Sequence, residues 1–187
     1  MRKYIYFIRH AECLSNLDPH FNGSEDVLSD DGLKQAISVA KRFKHITIDA
    51  IYHSGILRTQ KTAEEIEKVT GVKSESRKFL KERRGSFSLE GVYGYVEDFK
   101  QLKIRLDETK NFLEDLTSRH TVIVSHAIFL KALAAYFTHG EVLNEDLIRN
   151  FDDVLIMDNT GVSKFMFNEE KKKWRIMSWN DLAHLAN

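Results

Sequence analysis

Arg9-His10 closes the apolar run Tyr4–Ile8, and Ser125-His126 closes the apolar run Thr121–Val124. A third run, Asp49–Tyr52, leads into His53-Ser54, with Arg58 four residues beyond Ser54. Imidazole is a nucleophile and a proton carrier, and the planar fork of arginine fits the oxygens of a phosphate. Two arginines and two histidines gathered in one place repel one another unless an anion neutralises them. Together Arg9, His10, Arg58 and His126 are expected to form a pocket for a tetrahedral oxyanion. His53 is read as a structural histidine. A cation held by His10, His53 and His126 would be repelled by Arg9 and Arg58, which argues against a metal site. Cys13 is the single cysteine. A thiolate phosphate cradle needs an arginine six positions on, where Pro19 stands, so Cys13 is a bystander.

The expected pocket requires strands that end at one edge. Short β-rich runs alternate with helical periodicities over most of the chain. Tyr4–Ile8, Asp49–Tyr52, Val72–Ser76 and Thr121–Val124 read as strands. Helices are predicted after the Ser29-Asp30-Asp31 cap, with Leu33, Ile37, Ala40 and Phe43 on the buried face, and over Leu57–Val69, closed by Gly71. A long helix over Glu97–Leu116 and another over Ala127–Phe137 complete the alternating part. Val154–Met157, Val162–Phe167 and Trp174–Ser178 read as further strands, the last two joined by a polar hairpin turn. Trp174 and Trp179 are assigned to packing. The pattern predicts an α/β three-layer sandwich: a mostly parallel sheet, helices on both faces and an antiparallel edge hairpin near the C-terminus. In such sheets ligands bind beyond the carboxyl ends of the strands, where His10 and His126 fall.

The chain has 187 residues, a length that fits one domain over 1–187. Its 28 basic and 28 acidic residues cancel, which speaks against nucleic-acid and membrane-surface partners. No apolar stretch reaches the roughly 20 residues needed to span a bilayer, and the opening run is too short for a secretory core, so a cytoplasmic location is expected. One local basic cluster, Arg77, Lys78, Lys81, Arg83 and Arg84, is read either as a solvated face or as an attractor for a second anionic group on the substrate.

Several segments resemble the histidine phosphatase (phosphoglycerate mutase-like) superfamily, small phosphatase branch. Arg9-His10-Ala11-Glu12-Cys13-Leu14-Ser15-Asn16 is similar to its N-terminal signature, and Leu28–Ala36 to the start of its first helix. Ser54–Glu64 resembles the second arginine motif, Leu80-Lys81-Glu82-Arg83 the acid-bearing segment, and Val122–His126 the second-histidine strand. Asn180–Leu185 is similar to the tail of many small members.

The resemblance implies roles. His10 becomes phosphorylated; Arg9, Arg58 and His126 bind the phosphoryl oxygens; Asn16 donates a further hydrogen bond. Ala127 lies at the pocket wall. Glu82 protonates the leaving group and then deprotonates water, with Glu90 as the alternative acid, because the segment carries an extra residue relative to many members. No metal or other cofactor is implied. The substrate would be a small phosphate ester or a phosphorylated protein, selected by Asp18–Val27 and Lys78–Phe99. A phosphoglycerate mutase-type phosphotransferase and an inactive phosphate-binding module are the alternatives, and the shortness of the chain favours the hydrolase. Oligomeric state is not readable.

Overall fold

The computed structural model describes residues 1–18, 26–83 and 97–186. Six strands form one sheet: β1 (Arg2–Arg9), β2 (Ala50–His53), β3 (Ser74–Ser76), β4 (His120–Ser125), β5 (Val162–Asn168) and β6 (Lys173–Asp181), in the order β3-β2-β4-β1-β5-β6. The first four are parallel, while β5 runs antiparallel to both β1 and β6. The expected mainly parallel sheet with a C-terminal antiparallel hairpin is therefore present.

The helices are α1 (Leu14–Leu17), α2 (Asp30–Lys41), α3 (Leu57–Thr70), α4 (Phe99–Asp115), α5 (Ala127–His139) and α6 (Glu145–Val154). Strand β1 shows how the layers divide. Ile5 and Phe7 point into one core with Leu102, Leu106 and Leu113 of α4 and Leu130 and Leu133 of α5. Tyr6 and Ile8 point into the other core with Val39 and Ala40 of α2 and Ala63 and Ile66 of α3. A strand covered on both faces needs apolar side chains at every position, which is why β1 and β4 read as unbroken apolar runs.

Two sequence expectations are corrected. Helix α2 buries Gly32, Ala36, Val39 and Ala40, followed by Phe43, and leaves Leu33 and Ile37 at 46% and 41% exposure. The small residues win the inner face because α2 lies so close to the chain after β1 that a Cβ on Gly32 would sit 1.9 Å from the Glu12 carbonyl oxygen. Val154–Met157 is not a strand: Val154 ends α6, and Leu155–Met157 run on without strand pairing. Leu147, Ile148, Phe151 and Leu155 follow helical spacing, and the Asn144 side chain caps the helix by accepting from Leu147 N at 2.9 Å.

Trp174 and Trp179 both pack against the sheet as expected. Trp174 stacks on Phe137 and Phe167, and Trp179 meets the edge of Phe165. An odd spacing of five would put them on opposite faces of a regular strand. An irregularity in the β5–β6 register between Phe165 and Lys164 restores the common face.

Candidate active site

β1 and β4 are neighbours paired in parallel, with Arg9 opposite Ser125. Their carboxyl ends therefore deliver His10 and His126 side by side, ring centroids 5.3 Å apart. Both histidines are buried. The His10 backbone N–H donates to Ser125 O at 2.9 Å, continuing the strand pairing one residue past β1.

Each imidazole is held in a defined protonation state. His10 Nδ1 lies 2.7 Å from Ala11 O, an acceptor only, so Nδ1 carries the proton and Nε2 keeps a free lone pair. Burial pushes the His10 pKa down to about 3, and the charges of Arg58 and Arg9 add to the shift, so the ring is neutral at pH 7. His126 Nδ1 faces Arg58 Nη2 at 3.3 Å, and because arginine can only donate, Nδ1 is the acceptor. His126 Nε2 therefore donates to Ser54 Oγ at 2.8 Å, and Ser54 Oγ lies 2.9 Å from Thr59 Oγ1. Burial, then the neighbouring His10 and Arg58, hold His126 well below the usual histidine range.

The two arginines meet the same space from different elements. Arg58 is the second residue of α3, and its Nη1 lies 3.5 Å from Asp26 Oδ2. Arg9, at the end of β1, donates from Nη1 to Met157 O at 2.7 Å. The Nε atoms of both are buried without a protein hydrogen-bond partner. Buried guanidinium N–H groups left unpaired are costly, and the oxygens of a bound phosphoryl group would satisfy them.

Glu82 comes from the segment that follows β3 and feels the charge of Arg58. Its Oε1 accepts from Phe129 N and Arg83 N, both at 2.9 Å, while Oε2 has a single long contact of 3.4 Å to Ile128 N. It thus serves the free N–H groups of the first turn of α5, whose N-cap His126 has no side-chain cap bond. Burial raises the Glu82 pKa above the ordinary carboxylate value, against the lowering effect of those N–H groups and of Arg58. The segment is pinned by Ser125 Oγ, which donates to Leu80 O at 2.6 Å, and by Arg105 Nη1, which donates to Phe79 O and Lys81 O. Ala127 opens α5 beside this arrangement.

Asn16 is the third residue of α1, and its Oδ1 accepts from Cys13 N at 3.2 Å and from Asn159 Nδ2 at 3.1 Å. That orientation leaves Asn16 Nδ2 as the group available to an anion. Cys13 is buried and free, and its thiol pKa is raised by burial and by Asp26, the opposite of an activated thiolate. His53 is buried and accepts from Gly55 N at 3.1 Å, a structural contact.

The basic cluster does not form one face. Arg77 stacks over Tyr52 and Phe112 and pairs with Glu75; Arg83 is buried and forms a two-pronged pair with Glu145. Arg84 and Glu90 lie outside the described residues, as do parts of both expected specificity segments. Ser54, Asp26, Ser125, Arg105 and Asn159 were not singled out as site residues from the sequence. Ser54 and Ser125 lie inside quoted motifs and Asp26 inside an expected specificity segment, whereas Arg105 and Asn159 carry no local pattern that marks them.

A mostly parallel α/β sheet with Arg9, His10 and His126 at adjacent strand ends, and Arg58 in the first turn of α3 beside them, is an arrangement suited to handling phosphate. A sequence model of the "Histidine phosphatase superfamily (branch 1)" matches residues 5–92. The chain is 27% identical to a "Metal-independent phosphoserine phosphatase" of Arabidopsis thaliana, covering 98% of this chain and 83% of that one. It is 28% identical to "Phosphoserine phosphatase 1" of Hydrogenobacter thermophilus, covering 97% and 94%. Its fold matches that of a phosphoserine phosphatase from Entamoeba histolytica, solved with 3-phosphoglyceric acid, with a TM-score of 0.76 at 20% identity over 98% of this chain and 100% of that one. The chain thus resembles the histidine phosphatase superfamily in sequence over residues 5–92 and shares the fold of these phosphatases over nearly its whole length. Among the described residues no helix is long and apolar enough to cross a membrane.

Proposed function

We propose that this chain, as one unit over residues 1–187, hydrolyses small phosphomonoesters through a phosphohistidine on His10. The observation that carries the reading is the 2.7 Å contact of His10 Nδ1 with Ala11 O, which leaves Nε2 unprotonated beside Arg9, Arg58 and His126. Nε2 attacks phosphorus and the bond to the leaving oxygen breaks. Glu82 gives that oxygen its proton, from the lightly bonded Oε2. Water then attacks the phosphohistidine, Glu82 takes the water's proton, and the electrons of the N–P bond return to Nε2. Through both steps Nδ1–H stays on Ala11 O, which stabilises positive charge on the ring. Arg9, Arg58, Asn16 and His126 surround the equatorial oxygens, where charge develops. His126 reaches them through Nδ1 by taking up a proton there, so that the ring donates to a phosphoryl oxygen in place of accepting from Arg58.

The names of the two relatives that span nearly the whole chain support a hydrolase and make phosphoserine the first substrate to try. The test is a reaction with radiolabelled phosphoester, quenched in detergent at alkaline pH and run across a panel of phosphorylated metabolites and a phosphopeptide. Label should remain on the protein in an acid-labile, base-stable form, vanish in His10→Ala, and persist when chelators are added. Full turnover by His10→Ala would overturn the assignment.

A further inference from the structure

The turn Asp158–Gly161 leads into β5 and touches the nucleophile's loop from behind. Asn159 Nδ2 donates to the His10 carbonyl at 3.0 Å and to Asn16 Oδ1 at 3.1 Å. Both amide protons are engaged, one on the main chain of His10 and one on the amide that faces the phosphoryl site. Asn16 Oδ1 also receives Cys13 N at 3.2 Å and Cys13 Sγ at 3.3 Å. With its oxygen held from three directions, Asn16 is kept with Nδ2 outward.

The turn itself is braced. Thr160 has φ 58°, a left-handed conformation that a β-branched residue adopts only where its surroundings impose it. Thr160 N donates to Arg9 O at 3.1 Å. Asn180 brackets Asp158, accepting from its N–H at 2.9 Å and donating to its carboxylate at 2.8 Å. Gly161 has no room for a side chain, since a Cβ there would lie 2.0 Å from Asn180 Oδ1. From the tail, Arg42 Nη1 donates to His184 Nδ1 at 3.3 Å, so His184 Nε2 carries the proton and donates to Thr160 Oγ1 at 3.0 Å. Thr160 Oγ1 in turn donates to Asn159 O at 2.7 Å. The C-terminal segment thus ends its hydrogen-bond chain on the residue that grips the nucleophile's loop.

We infer that Asn159 is a positioning residue: it fixes the main chain of His10 and the amide sense of Asn16, and the segment from Asn180 to His184 holds it in place. This inference rests on the phosphohistidine reading above.

A double-mutant cycle tests it, with Asn16→Ala, Asn159→Ala and the pair, reading kcat, KM, the dissociation constant of inorganic phosphate and the thermal midpoint. Asn159→Ala should lower kcat/KM about tenfold, but by under about threefold when Asn16 is already alanine. Asn159→Asp, of equal size, should do worse than alanine at a similar thermal midpoint, because it turns an oxygen toward two carbonyl groups. Asn159→Ser replaces the alanine variant in the cycle if that variant does not fold. Effects that simply multiply, or that track the loss of midpoint, would overturn the inference while leaving the nucleophile assignment intact. A wild-type protein that binds phosphate without turnover would sink the phosphohistidine reading alone, and the same cycle read in phosphate affinity would still decide the role of Asn159. Neither turnover nor phosphate binding would sink both.

Discussion

The Arg58 guanidinium donates to His126 Nδ1 across 3.3 Å, joining the first turn of α3 to the end of β4. The contact fixes the His126 tautomer and aims the other end of that ring at Ser54. Arg58 thereby shapes the pocket as well as charging it.

Arg58→Lys keeps the charge and loses the fork that reaches His126 and phosphate together. The expected result is a fall in kcat/KM of about 10²-fold, the scale of losing one donor to developing charge, with little change in thermal midpoint. Steady-state kinetics and a melting curve on the same preparation check it. Near-wild-type kcat/KM would show that charge alone suffices.

Glu82→Gln should slow turnover by about 10²–10⁴-fold, the usual worth of a positioned proton donor. The loss should be smaller with p-nitrophenyl phosphate, whose leaving group departs without a proton. In the wild type, burial raises the pKa of Glu82, so kcat/KM should decline as pH rises through that raised value. A pH–rate profile should lose this basic limb in Glu82→Gln. If the limb survives, the acid lies elsewhere, Glu90 being the other candidate.

Stability should fall as pH drops below about 6.5, the unperturbed histidine pKa. His10 is held at about 3 and His184 at about 4, and His126 well below its usual value, in each case chiefly by burial. Between those values and 6.5 the unfolded chain binds protons that the folded chain refuses, so acid favours unfolding. Urea midpoints at pH 7.0 and 5.5, a range in which ordinary carboxylates change little, should show the lower value at pH 5.5. Equal midpoints would mean that the three imidazoles are not held neutral.

Gly32→Ala sets two magnitudes against each other. Helix propensity favours alanine by about 1 kcal/mol, whereas its Cβ would lie 1.9 Å from Glu12 O and 2.8 Å from Glu12 C, both backbone atoms that cannot simply swing aside. Overpacking of this kind costs about 1–3 kcal/mol and is expected to win, lowering the thermal midpoint by roughly 3–10 °C. Activity should fall too, since Glu12 stands two residues from His10. A raised midpoint with full activity would contradict the contact.

Much of the site was legible because strand ends concentrate chemistry. Arg9-His10 and Ser125-His126 each follow an apolar run long enough to be a buried strand, and Arg58 sits in a motif that opens a helix. Glu82 was harder: its segment is irregular, and what holds it in place is Arg105 from α4 and Ser125 from β4, far along the chain. On helix α2, Ala40 and Phe43 are buried as expected, but Leu33 and Ile37 are not: they outrank Gly32 and Ala36 in hydrophobicity, while the fold selects for close approach. The Val154–Met157 strand failed for a related reason, since an apolar run of four does not by itself distinguish a helix end from a strand. The basic cluster looked continuous only along the chain: Arg77 stacks on aromatic rings and Arg83 is buried against Glu145.

The sequence alone determined the layers of the fold and the identity of the candidate site groups, because residue type fixes what a side chain can do and apolar periodicity fixes where strands and helices fall. Tertiary structure decided the protonation states and the orientations. Whether His10 Nε2 is a free lone pair depends on Ala11 O, whether His126 accepts or donates depends on Arg58 and Ser54, and which way Asn16 points depends on Asn159. Those partners are settled only when distant segments meet, since a hydrogen bond responds to tenths of an ångström and to angle, quantities that no pattern of residue types encodes.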